Sequence, residues 1–61
     1  MEELVNTLVS QMKDFMPDAT ANAIRGNKAA GLRARKLSLH IEKNLKAFRK
    51  QSRELSATPN P

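Results

Sequence analysis

The sequence predicts an all-α fold, a two-helix hairpin with a short first helix and a long amphipathic second helix. Three observations predict it. Both halves of the chain carry apolar stripes at helical spacing, Pro17 stands between them, and 61 residues suffice for one small domain only. The expected boundaries are a single helical domain over 1–55, helix 1 at about 2–16, helix 2 at about 19–54 and a disordered tail over 56–61.

The first helix rests on Leu4, Val5, Leu8, Val9, Met12, Phe15 and Met16, which recur three and four apart and make one apolar face. Glu2 and Glu3 fall in its first turn, where carboxylates favour the positive end of the helix dipole. Pro17 is expected to end it, because the residue before a proline is pushed out of helical geometry. Asp18 is a suitable N-cap for the second helix. In that helix Ala30, Ala34, Leu37, Ile41, Leu45, Phe48, Ser52 and Leu55 follow a mean spacing of about 3.6 residues, the α-helical period. A helix from Ala19 to Leu55 would be roughly 54 Å long.

Gly26 and Gly31 are its weak points, each costing about 1 kcal/mol relative to alanine inside a helix. Arg25-Gly26-Asn27 also reads as a stop and restart, with Gly26 in a left-handed cap and Asn27 as the next N-cap. The stripe extends backward in register through Ala19, Ala23 and Gly26, which favours one continuous helix. Folded back at Pro17, the bulky first helix would cover the small residues of the second as far as about Ala34. Leu37, Ile41, Leu45, Phe48 and Leu55 would then be left to a homodimer interface in which the long helices pair like a coiled coil.

Charge is divided along the chain. Residues 1–24 carry a net of −3 and residues 25–55 a net of +8, within a total of +5 and a pI near 10.3. On a wheel of about 100° per residue, Arg25, Lys28, Arg35, Lys36, Lys43, Lys46, Lys50 and Arg53 lie opposite the apolar stripe, flanked by Arg33 and Arg49. Glu42 and Glu54 interrupt this face towards its margins, and Leu32 and Leu39 near its centre. A merely solvated face would mix signs to gain i,i+4 pairs, so the imbalance points to a polyanionic partner.

Other chemistries find little support. The chain has no cysteine and a single histidine, His40, so neither a disulfide framework nor a four-ligand zinc site can be built. Gly26 and Gly31 bracket four residues as in a phosphate loop, but Leu32-Arg33 follow where Lys-Ser/Thr is required. Ser38 has no acid and base beside it, and no enzyme activity or cofactor is expected. His40 reads as a residue at the rim of the apolar stripe, and the methionines as fillers on the first helix. No apolar run approaches the roughly 20 residues of a membrane span. The acidic start Met1-Glu2-Glu3 is unlike a secretory signal, which places the expectation in the cytoplasm.

Gly26-Asn27-Lys28-Ala29-Ala30, the basic run Arg33-x-Arg35-Lys36, Ser38-x-x-x-Glu42-Lys43 and Phe48-Arg49-Lys50 together cover nearly half the chain at fixed spacing. In these elements the sequence resembles the histone H1-like Hc1 family of bacterial nucleoid proteins. The resemblance implies a chromatin-condensing, nucleoid-associated protein that binds double-stranded DNA with little sequence preference. The best-known members continue into a long Lys/Ala/Pro-rich tail, whereas this sequence ends in Ser-Ala-Thr-Pro-Asn-Pro, which shifts the expectation from strong condensation towards association and a weaker DNA contact. The residue pattern leaves a helical protein-protein interaction module, or a basic RNA- or ribosome-associated protein, as alternatives.

Overall fold

The computed structural model describes residues 1–57, and these form two α-helices, α1 at Glu2–Arg25 and α2 at Lys28–Ala57. They fold against each other as a helical hairpin, the architecture expected from the two stripes. The boundaries differ from those expected. The chain does not turn at Pro17, which lies inside α1, and the second helix is not continuous from 19 to 54, since residues 19–25 belong to α1. Ser56 and Ala57, assigned to the tail, extend α2, and residues 58–61 lie outside the described residues.

The physical reason is a pair of helix caps two residues long. Gly26 adopts φ 65°, ψ 25°, a left-handed conformation that costs glycine no Cβ clash. Its N–H donates to the Asn22 carbonyl at 3.0 Å, and the Asn27 N–H donates to the Ala21 carbonyl at 3.2 Å. Asn27 then caps α2, its Oδ1 accepting from the Ala30 N–H at 3.0 Å. The Asn22 carboxamide donates to the Asn27 carbonyl at 3.1 Å, tying the end of α1 to the start of α2. These bonds satisfy groups that a turn at Pro17 would leave to solvent. Pro17 is tolerated because it and Lys13, whose carbonyl loses its helical partner, both lie on the solvent side of α1.

The seam between the helices repeats every three and four residues. On α1 the half-buried side chains are Leu4, Leu8, Gln11, Phe15 and Asp18; on α2, Ala30, Ala34, Leu37, Ile41, Asn44, Phe48 and Gln51 are buried or half-buried. An average of about 3.5 residues keeps two helices in contact over many turns. Two cross-links set the antiparallel register. Arg33 pairs with Asp18 near the turn, and Asn44 Nδ2 donates to Gln11 Oε1 at 3.0 Å farther along. At the open end Met1 shares a depression with Gln51, Glu54 and Leu55.

Small residues stand where the helices diverge from the tight turn. Ala21, Ala30 and Ala34 are buried, and a Cβ added to buried Gly31 would intrude on the Asn22 carboxamide. Ile41 is the only large residue of the buried core, and no large side chain is fully buried among the described residues. The hairpin is therefore a thin structure about 50 × 16 × 15 Å in extent.

Candidate nucleic-acid interface

The ten cations picked out in the sequence are all exposed. Nine of them, Lys28, Arg33, Arg35, Lys36, Lys43, Lys46, Arg49, Lys50 and Arg53, stand on α2, while Arg25 belongs to the last turn of α1. The ridge thus begins at Lys28 and not at Arg25, with the Gly26-Asn27 turn between them. From Lys28 to Arg53 it runs about 38 Å at 1.5 Å per residue. Ala34, Ile41 and Phe48 direct the opposite side of α2 towards α1, so helical geometry alone sends most of these cations outward. Against the nine stand Glu42 and Glu54, leaving α2 at +7 and α1 at −2.

Arg33 differs from the rest. Its Nε donates to Asp18 Oδ2 at 3.2 Å and its Nη2 to Oδ1 at 3.0 Å, a two-pronged pair across the helices. The hydrogen bond to Asp18, and then the carboxylate's charge, hold the guanidinium pKa above its ordinary value. Arg33 stays cationic, but its charge is largely compensated in place. Leu32 and Leu39 lie among the cations with 48% and 67% of their surface exposed. His40 is also exposed.

The residues expected to form a dimer interface are placed differently. Ile41 is buried, Leu37 and Phe48 are half-buried, and Leu45 and Leu55 are exposed. A first helix that ends at Met16 would stop short of them. That premise is corrected: α1 accompanies α2 past Asn44, and Met1 lies beside Leu55. The same chain thus covers Ile41 and part of Leu37 and Phe48, while Leu45 and Leu55 stay open.

A further open apolar surface lies on α1. Val5, Val9, Met12 and Met16 are exposed, and with Leu8 and Lys13 they line a shallow groove. These four are expected to share one face with Leu4, Leu8 and Phe15. Their spacing held the missed signal, because they form two parallel stripes, 4-8-15 and 5-9-12-16, and one neighbouring helix covers only the first.

No cluster of His, Cys, Asp or Glu able to hold a metal occurs among the described residues. Within the same residues, no helix is long and apolar enough to cross a membrane. Buried side-chain nitrogen and oxygen atoms all have partners there. In comparison with known proteins, the family model described as "Histone H1-like protein Hc1" matches residues 2–58. No curated protein and no solved structure matches the chain.

Proposed function

Because the chain belongs to the histone H1-like Hc1 family, we propose that it is a nucleoid-associated protein of the cytoplasm that binds double-stranded DNA through phosphate contacts from the outer face of α2. The observation that carries this reading is the placement of eight exposed cations along the outer side of a helix whose other side is committed to α1, the ninth, Arg33, being held by Asp18. A ridge of about 38 Å matches roughly one turn of duplex, about 34 Å.

Phosphate contacts fix a protein on DNA but carry no sequence information, which resides in the base edges. The amides best suited to reading adenine are engaged elsewhere on α2: Asn44 is bonded to Gln11, and Gln51 is half-buried. The ridge has no aromatic side chain, since Phe48 turns towards α1. Binding should therefore depend on charge and little on sequence. As a dimer with ridges on opposite sides, the protein would bridge two duplexes.

A gel-shift titration on unrelated duplexes tests this reading. If about six phosphates are contacted, affinity falls roughly 10³-fold between about 50 and 200 mM salt, nearly equally for all sequences. Affinity that hardly moves over that range removes the phosphate mechanism. Arg35→Glu with Lys46→Glu, both on exposed positions, should abolish binding while the helical circular-dichroism signal is retained. Unaltered DNA binding by that folded variant would exclude the ridge, and stronger binding to RNA or to an acidic protein than to duplex DNA would redirect the assignment.

A further inference from the structure

Two large apolar side chains of α2 face away from α1. On a wheel of about 100° per residue, Leu37, Ile41, Leu45, Phe48 and Leu55 lie within about 40° of the side turned towards α1, whereas Leu32 and Leu39 lie opposite them. Leu32 is 48% exposed and Leu39 67%. A single exposed leucine is ordinary. These two are seven residues apart and so stand on one line along the helix, about 10 Å from each other.

The positions one turn away from this pair on the helix surface hold Lys28, Ala29, Arg35, Lys36, Glu42 and Lys43. The four cations are all exposed, and Arg35 and Lys36 neighbour both leucines. Lys28 and Arg35 fall on one flank of the line, Lys36 and Lys43 on the other. The outer side of α2 is therefore apolar at its pole and positive to either side.

That cross-section fits one groove of duplex DNA. The major groove, about 12 Å wide, admits a helix of about 10–12 Å in diameter, and the minor groove, about 6 Å wide, does not. In a helix seated there, the side chains at the pole face the base edges and those on the flanks face the phosphates of the two walls. The apolar group that base edges present in this groove is the C5-methyl of thymine. Seven helical residues span about 10 Å, or three base-pair steps of about 3.4 Å. A lipid surface fits less well, because a helix lying in a membrane interface needs an apolar face broader than one line of two residues.

We infer, resting on the duplex-binding reading above, that α2 enters the major groove with Leu32 and Leu39 against thymine methyl groups. The charge-driven binding then carries a modest preference for A·T pairs.

Fluorescence anisotropy with an alternating A·T duplex, and with the same duplex carrying uracil in place of every thymine, isolates the methyl group. Loss of one buried methyl weakens binding about fourfold, so the wild-type chain should bind the uracil duplex about four- to tenfold more weakly. The salt slope should stay the same, since the phosphate contacts are unaltered. Methylating cytosine at C5 in a G·C duplex puts the same group in the same groove and should tighten binding by a similar factor. Leu32→Ser with Leu39→Ser, both at exposed positions, should abolish both differences while the helical circular-dichroism signal is kept. Equal wild-type affinity within either pair of duplexes, or a folded serine variant that still tells them apart, overturns the inference and leaves the phosphate reading standing. Absence of binding to every duplex removes that reading and this one together. Leucine-dependent binding to phosphatidylglycerol vesicles, with equal affinity for the thymine and uracil duplexes, would assign the pair to a lipid surface instead.

Discussion

Asp18 shows how one side chain can serve the fold and limit the interface. Read from the sequence, it was an N-cap; in the hairpin it lies inside α1 and accepts two hydrogen bonds from Arg33. The identity of the cations and their general direction were legible because α-helical periodicity alone places them. The engagement of Arg33 was not, since it depends on a residue fifteen positions away that only the turn brings near. Asp18→Asn should release Arg33 for a phosphate. The slope of log affinity against log salt is then expected to steepen by about 0.9, as read from binding titrations at several ionic strengths. An unchanged slope would mean that Arg33 makes no DNA contact even when freed.

Between the helices, the competition was between a proline and a glycine. The sequence offered both Pro17 and Gly26 as places to turn, and local rules alone favour the proline because it removes an N–H and crowds the preceding turn. Packing decides for Gly26. Keeping α1 intact to Arg25 carries Asp18, Ala19, Ala21 and Asn22 into contact with α2 or its cap, and the Gly26-Asn27 pair satisfies both helix ends. The alternative reading of Arg25-Gly26-Asn27 as stop and restart was therefore present in the residues, but its weight depended on contacts that no local window contains. Two substitutions separate the roles. Gly26→Ala places a side chain in left-handed geometry and should destabilise by about 1–2 kcal/mol. Pro17→Ala restores a helical hydrogen bond on the solvent side and should stabilise, by up to about 3 kcal/mol. Urea unfolding at one protein concentration measures both; a stabilising Gly26→Ala would show that the turn is not where the chain needs flexibility.

Taken as a whole, the molecule has a legible architecture and a partner surface that was legible only in part. Two apolar stripes were enough to indicate a helical hairpin. They were not enough to say which stripe remains open, because that depends on how far α1 runs along α2, and the position of the turn sets this length. With only Ala21, Ala30, Gly31, Ala34 and Ile41 buried among the described residues, the folded state should draw on association for its stability. Its thermal midpoint is then expected to rise with total protein, since mass action favours the folded dimer over separated unfolded chains. Melting curves recorded over a hundredfold dilution series check this, and coincident curves would indicate a self-sufficient monomer. The poverty of that core has a cellular corollary. Were folding to require association, chains at low copy number would be unstructured and open to proteolysis, and abundance would act as its own switch.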